Sequence, residues 1–320
     1  MMEKNDSLAK IREIISQHQN IVLCGHTNPD GDAIGACLAL AASLHKGGKM
    51  VQVLLEPYGK KYNMIPNSTL IVEKEVVTEV ELFIALDCGD IGRFQGIENI
   101  FRSAKHTVNI DHHISNSYFG EYNYVEEAAS STSEIVFKLL KGYFPLDGEI
   151  ASALYAGLIY DTGGFRHTST TPFTMQVAGE LMNYDIPFTK IYNALFDSRN
   201  FSEMKIMGRA FDKAERYFDG RVICSSITMG DIEDCKGTNK ELDAIINYLK
   251  GVNDTKIACF LYEKNDMDVK ASFRGNDGYD VCALAQKFGG GGHVKAAGCT
   301  IAAPIAKAKE MVFAEIEKML

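Results

Sequence analysis

Nowhere in the 320 residues do about 20 consecutive apolar residues occur, so the sequence offers no helix able to span a bilayer. The N-terminal stretch MMEKNDSLAKIREIISQHQN is polar and amphipathic and lacks the apolar core of a secretory signal. None of the eight cysteines, at 24, 37, 88, 224, 235, 259, 282 and 299, pairs with another as C-x-x-C, which argues against a zinc ribbon or a thioredoxin-like motif. They read as small core residues in a reducing compartment, and the expected location is the cytoplasm. Positive charge is also short. Against 42 Asp and Glu stand 33 Lys and Arg, a net charge of −9 that disfavours a protein coating duplex nucleic acid, which needs a broad cationic surface. Small anions are still allowed, because bound divalent cations create a positive site on an acidic protein. Internal repeats and low-complexity stretches are absent, apart from the glycines 289–292.

What is present is an apolar content of 46 %, enough for ordinary cores, in a chain long enough for two domains. Over residues 1–190 short apolar runs alternate with helical patterns, the signature of an α/β domain on a mainly parallel, doubly wound sheet. Strands are expected at 21–24, 50–55, 82–86 and 107–110. Helices are expected at 33–46, stopping at Gly47-Gly48, at 135–143 behind the capping pair Ser131 and Glu134, at 151–160, and at 173–183 behind Thr171-Pro172. A charged amphipathic pattern over 201–217 ends at Asp219-Gly220 and places a helical linker at 191–218. A second, smaller α/β domain then fills 219–320, with strands at 221–228, 256–262 and 269–273 and helices at 240–249, 281–288 and 304–319.

The run His26-Thr27-Asn28-Pro29-Asp30-Gly31-Asp32 follows the first expected strand, so its side chains emerge at the carboxyl edge of the sheet, where open α/β folds bind ligands. Asn, Pro, Asp and Gly alone describe an ordinary turn. Asp87 closes the next run, and a single acid there is ordinarily a cap or a turn residue. The following run closes in Asn109-Ile110-Asp111-His112-His113, and three ionisable groups ending a buried strand are costly to desolvate unless paired or metal-bound. Asp161 adds a carboxylate near a helix C-terminus, where the dipole favours a cation. Four separate elements therefore each deliver Asp, or Asp with His, to a loop junction. Carboxylates with imidazoles and no thiolate suit Mn²⁺, with Mg²⁺, Co²⁺ or Fe²⁺ as rivals, rather than a structural Zn²⁺. So many carboxylates repel around one ion, whereas two ions about 3.5–4 Å apart share them and clamp both oxygens of a phosphoryl displacement.

The ordered set His26, Asp30, Asp32, then Asp87, then Asp111-His112-His113, then Asp161 resembles motifs I to IV of the DHH phosphoesterases. The glycines 289–292 with His293, followed by Ala296-Ala297-Gly298, resemble the signature of the DHH-associated domain in the subfamily that contains NrnA-type nanoRNases, RecJ-type exonucleases and cyclic-di-AMP-pathway phosphodiesterases. The likeness spans almost the whole chain. One departure is Ala36-Cys37 after Gly35, where many members carry Ser; it leaves the ligands intact. The resemblance implies two Mn²⁺ per site, with Mg²⁺ or Co²⁺ as substitutes. His26, Asp30 and Asp87 would hold the first ion, and Asp32, Asp87, His112 and Asp161 the second, with Asp87 bridging. Asp111 would orient a neighbouring ligand, His113 would face the substrate and either stabilise the transferring phosphoryl group or protonate the leaving oxygen, and the nucleophile would be a hydroxide shared by the ions. Gly290, Gly291 and Gly292 let the backbone approach a ligand closely, especially ahead of a helix. With His293 and Arg274 they would grip the distal phosphate or nucleotide, and Arg93 is a further candidate, a surface ion pair being the alternative. Arg166 and His167 are left as structural.

The function this implies is hydrolysis of short 5′-phosphorylated oligonucleotides such as pApA to mononucleotides, with 3′-phosphatase action on pAp, by a homodimer without duplex DNA or membrane partners. The alternatives are a cyclic-dinucleotide phosphodiesterase, which would normally add membrane and sensory segments, and a RecJ-like exonuclease, which would add a basic channel. A family II pyrophosphatase shares the N-terminal motifs but has a different second domain. A non-catalytic RNA-binding protein sits poorly with a full set of metal ligands.

Overall fold

Ile21 and Leu23 face one side of strand β1 (Asn20–Cys24), Val22 and Cys24 face the other, and all four are buried. A strand with no wet face needs cover on both sides, the condition of a parallel sheet in an α/β unit. The structure, a computed structural model, describes residues 5–94, 96–238, 242, 244–276 and 278–320. It divides into two units, Met1–Ser198 and Arg199–Leu320, the second of which contains most of the region expected as a linker.

In the first unit β1 joins β2 (Met50–Leu54), β3 (Leu82–Leu86), β4 (His106–Asp111) and β5 (Tyr122–Val125) in an all-parallel sheet of order β2-β1-β3-β4-β5. The first four coincide with the expected strands to within a residue. The fifth, Tyr-Asn-Tyr-Val, escaped the sequence reading because one of its two buried positions is the polar Asn123. Seven α-helices, with shorter turns between them, are seen among the described residues of the unit: α1 (Leu8–Gln17), α2 (Gly31–Lys46), α3 (Glu98–Ser103), α4 (Thr132–Leu140), α5 (Gly148–Asp161), α6 (Pro172–Met182) and α7 (Phe188–Tyr192). Leu23, Ile84 and Ile110 pack with residues of α1, α2, α4 and α5 on one face. Phe83 and Ala85 pack with Phe94 and Phe101 on the other, so the sheet is doubly wound.

Helix ends depart from expectation for local reasons: α5 begins at Gly148 rather than at 151 because Asp147 caps it, and two further ends also shift. Asp30 caps α2 by accepting from the amides of Asp32 and Ala33, which draws Gly31 and Asp32 into the first turn. Ser131 caps α4 as expected, but the helix ends at Leu140 rather than running to 143, and Glu134 turns to Ser130 and Thr174 instead of back to the cap.

The second unit begins with α8 (Phe201–Asp212). The helix expected over 201–217 stops there, because the left-handed residues Phe218, Asp219 and Gly220 form a turn that lays β6 (Glu215–Tyr217) antiparallel against β7 (Val222–Ile227). After α9 (Met229–Asp234) and α10 (Ile245–Lys250) come β8 (Ile257–Asn265), β9 (Asp268–Gly275), α11 (Val281–Gln286), β10 (Gly291–His293), β11 (Ala296–Ala302) and α12 (Ile305–Glu317). Residues 240, 241 and 243 of the helix expected over 240–249 lie outside the described residues. The sheet order is β10-β11-β9-β8-β7-β6, with only β7 and β8 parallel. Strand β11, Ala-Ala-Gly-Cys-Thr-Ile-Ala, lacks the bulky alternation that marks a strand, which is why it was not anticipated. Among the described residues no helix is long and apolar enough to cross a membrane.

Candidate metal centre

The strand order of the first unit reverses at β1, which has β2 on one side and β3 on the other, so the crevice between the carboxyl ends of β1 and β3 is a topological switch point. His26 and Asp30 follow β1 there, and Asp87 follows β3. Nε2 of His26 lies 3.6 Å from Asp87 Oδ2 and 3.8 Å from Asp30 Oδ1. On the other side of Asp87, His112 Nε2 lies 3.6 Å from Oδ1 and 3.1 Å from Asp161 Oδ2. Two sets of side chains offer ligand atoms that all fall within 4.8 Å of one another: His26, Asp30 and Asp87, and Asp32, His112 and Asp161. A third such set joins Asp87 with His112 and His113. Asp87 therefore stands between two imidazoles, held in the left-handed region at φ +59°, with Thr132 Oγ1 donating to its Oδ1 at 3.0 Å.

Backbone carbonyls fix which nitrogen each imidazole presents. Nδ1 of His26 lies 2.8 Å from Thr27 O, and Nδ1 of His112 lies 3.3 Å from Ala129 O. A carbonyl only accepts, so each Nδ1 carries a proton and each Nε2 faces the carboxylates. The approach of His112 Nε2 to Asp161 is off the axis of any N–H bond, which leaves Nε2 a buried nitrogen with no hydrogen-bond partner. The charge balance points the same way. Burial pushes the Asp87 carboxyl up, Asp30 and Asp161 push it further, and it reaches about 7. Burial lowers the pKa of His112, but Asp161, Asp32 and Asp87 outweigh it and carry the imidazole up to about 10. Clustered carboxylates and a buried imidazole whose Nε2 has no hydrogen-bond partner could hold a divalent cation in place of the imidazole proton, which would relieve both distortions at once.

Neighbouring elements hold these side chains. Asp32 is buried, and its two oxygens accept the amides of Thr132 at 2.6 Å and Ser133 at 2.9 Å, yet burial and the neighbouring Asp87 and Asp161 still push its carboxyl well above the usual carboxylate range. Asp161 comes from the last turn of α5, which packs on α2 through close backbone approaches. A Cβ on Gly35 would sit 2.5 Å from Ala153 O, and one on Gly157 would sit 2.0 Å from Ser133 Oγ and 2.7 Å from Asp32 Oδ1. Asp111 is buried, accepts from His113 Nδ1 at 2.7 Å and from Asn116 Nδ2 at 2.6 Å, and has its pKa lowered because His113 outweighs the burial. Asn116 also donates to Asn109 Oδ1. Sequence reading missed Thr132, Ser133, Asn109 and Asn116. The capping pattern at Ser131 marked a helix start, but nothing in it shows which carboxylate the start would meet.

Arg93 is exposed on a one-turn helix after β3, in a cleft that His26 also lines. The remaining candidates lie in the second unit. Cross-strand register aligns His293, Ala296 and Arg274 on neighbouring strands β10, β11 and β9, so the imidazole and the guanidinium share one face of the sheet, two strand spacings apart. Arg274 Nε donates to Asn247 Oδ1 at 3.1 Å. The glycine run follows α11 and does not precede a helix, so no helix N-terminus backs it, contrary to the setting expected. Gly290 and Gly292 are required by packing, since a Cβ there would meet Gly298 O at 2.3 Å and Ala296 O at 2.5 Å, while Gly291 faces open space.

The parallel sheet with its edge cluster of Asp and His, followed by this second unit, defines a DHH phosphoesterase. Residues 20–158 match the DHH family, N-terminal domain, and residues 219–320 match the DHHA1 domain; the chain belongs to the DHH family. It is 30 % identical over 288 residues to the bifunctional oligoribonuclease and PAP phosphatase NrnA of Thermus thermophilus, covering 88 % of this chain and 84 % of that one. It is 27 % identical over 300 residues to the protein of the same name from Bacillus subtilis, covering 90 % and 91 %. Among solved structures, an exopolyphosphatase-related protein from Bacteroides fragilis superimposes with a TM-score of 0.84 at 26 % identity, over 96 % of this chain and 94 % of that one.

Proposed function

We propose that this chain hydrolyses short 5′-phosphorylated oligonucleotides such as pApA to mononucleotides, and pAp to AMP, at the cluster around Asp87, with two Mn²⁺ as its cofactor, in the cytoplasm. The observation that carries the reading is the position of Asp87, 3.6 Å from both His26 Nε2 and His112 Nε2, which lets one carboxylate serve two adjoining ligand sets. The names of the relatives from Thermus thermophilus and Bacillus subtilis supply the substrate class.

His26, Asp30 and Asp87 would hold one ion, and Asp32, Asp87, His112 and Asp161 the other. Bound divalent ions polarise the phosphoryl oxygens and bring the ionisation of water near neutral pH. The chain's own residues set the geometry around that chemistry. Thr27 O and Ala129 O keep both ligand imidazoles in the tautomer that presents Nε2. Asp111 pins His113 through Nδ1 and raises its pKa, so its proton-bearing Nε2 is available to the leaving oxygen. Arg93 would meet a substrate phosphate at the cleft. Arg274 and His293, on one face of the second sheet, would bind the distal phosphate, with the backbone of Gly290, Gly291 and Gly292 alongside.

A substrate series with Mn²⁺ tests the reading: pAp, pApA, five-mers, 24-mers, cyclic dinucleotides and pyrophosphate. Turnover should concentrate on pAp and on the two- to four-mers. A preference for 24-mers, cyclic dinucleotides or pyrophosphate would overturn it.

A further inference from the structure

Beside the candidate metal centre, and on the same unit, the structure has a cleft of about 190 Å³ that His26 lines. This is below the roughly 300–1,000 Å³ of pockets for drug-sized ligands, and on the scale of a single heterocycle. Its apolar lining includes Leu54 at the end of β2, Val72, and Phe94, a ring that is almost fully buried. The outer wall is the segment after β2, which returns to pair with it through Val72 N and Val53 O at 3.0 Å. Lys74 Nζ reaches across to Gly96 O at 3.3 Å, and Thr27 N donates to Arg93 O at 3.0 Å, so two hydrogen bonds tie the walls together.

The charges around this cleft are unusual for a site beside a phosphate chemistry. Glu56, Glu73 and Glu75 line it, against Lys74 and Arg93. Glu56 is engaged by the amide of Asn28 at 2.7 Å, and Glu73 and Glu75 are exposed to solvent at the cleft. A phosphate inside would meet an excess of carboxylate. A flat, uncharged ring that offers N–H groups would meet an apolar lining and exposed acceptors.

We infer that this cleft is a nucleobase site for the nucleotide whose ester bond is broken at the metal centre, and that Glu73 and Glu75 select bases carrying an exocyclic amine. The inference rests on the phosphoesterase reading above and adds a base preference to it. Adenine N6 and cytosine N4 are donors on the Watson–Crick edge, and a carboxylate accepts from them. Uracil places its N3–H between two carbonyl oxygens, which a carboxylate repels. Arg93, at the same cleft, is left to face the phosphate rather than the ring.

The test compares kcat/KM for pApA and pUpU in the unaltered enzyme and in Glu73→Gln, Glu75→Gln and the double variant. The unaltered enzyme should prefer pApA by about tenfold, the scale of one hydrogen bond to a charged acceptor at an open site. In the double variant the ratio should fall to within about twofold of unity. Because the ratio is taken within one protein, partial loss of folding does not imitate the result. No preference in the unaltered enzyme, or a preference the double variant retains, overturns the inference. Bis-p-nitrophenyl phosphate separates the two readings, since an enzyme inert towards it and every nucleotide fails as a phosphoesterase. Titration with AMP and UMP still reads the cleft in that case, and equal affinity for the two would sink the base site independently of turnover.

Discussion

His113 Nδ1 donates a 2.7 Å hydrogen bond to Asp111 Oδ1, and Asn116 Nδ2 holds the other oxygen of that carboxylate at 2.6 Å. The carboxylate is fully buried and the imidazole half exposed, so a rigid interior group aims a solvent-facing one. Such a pair acts as a unit. His113 loses its orientation and its raised pKa together if Asp111 is neutralised.

Asp111→Asn is therefore expected to lower kcat on pApA by about 10²-fold, the low end of what a positioned general acid contributes. His113→Ala should cost about the same, and the double variant little more than either, because groups that act through one another are not additive. Bound metal per chain should be unchanged in all three. Losses that multiply in the double variant would show that the two residues work separately.

Asp87→Ala removes the only carboxylate that approaches both ligand imidazoles at 3.6 Å among the described residues. Turnover should fall by more than about 10³-fold on pApA, pAp and bis-p-nitrophenyl phosphate alike, since the loss is in the chemistry and not in nucleotide capture. Substantial Mn²⁺-dependent activity on any of the three would reject the shared position of Asp87.

Metal binding should also release protons. In the metal-free protein His112 is raised to about 10, so at pH 8 it carries a proton on the nitrogen that a cation needs. Calorimetric titration with Mn²⁺ at pH 8 in buffers of different ionisation enthalpy should give a positive slope, with His112 and the raised carboxyl of Asp32 as the groups that release protons. A slope of zero would mean that His112 is already neutral or is not a ligand.

The path from sequence to this centre was open in some places and closed in others. The convergence of His26, Asp87 and His112 was legible because each ends a strand of a parallel sheet, and parallel strands bring their carboxyl ends to one edge. The support beneath them was not. Asn116 holds Asp111 from a loop five residues on, and Asp32 finds its amides 100 residues away in α4, contacts that leave no periodicity behind. The glycines of the second unit carried a clear signal with the wrong context. Gly290 and Gly292 are small because β11 presses on them, not because a helix starts there.

Two glycine substitutions separate packing from helix propensity. Gly157→Ala would place a methyl 2.0 Å from Ser133 Oγ and 2.7 Å from Asp32 Oδ1, so it should cost about 1–3 kcal/mol and weaken Mn²⁺ binding. Gly179→Ala, in α6 with nothing within 4 Å of the new atom, should stabilise by about 0.5–1 kcal/mol. Urea unfolding of both variants, with and without Mn²⁺, reads the difference. Equal behaviour of the two would show that α5 yields enough to admit a side chain.

In the second unit, stability should depend on acid through Asp231. Its carboxylate accepts from Thr228 N at 2.9 Å and from Arg209 Nη1 at 2.9 Å, and pairs with Lys213. Burial works against ionisation, but Lys213 and Thr228 outweigh it and lower the pKa to about 2. A carboxyl depressed on folding contributes its stability above the unfolded value near 3.9, and that contribution fades as pH falls towards 2. Asp231→Asn should then be less stable than the unaltered protein by a constant margin above pH about 5, and the margin should shrink between pH 4 and 2. The full chain, unfolded in urea across pH 2–7, measures it. A margin that holds at pH 2 would assign the cost to the lost geometry of the α9 cap, since an amide fits that cap poorly at any pH, while a margin that closes assigns it to the charge shared with Arg209 and Lys213.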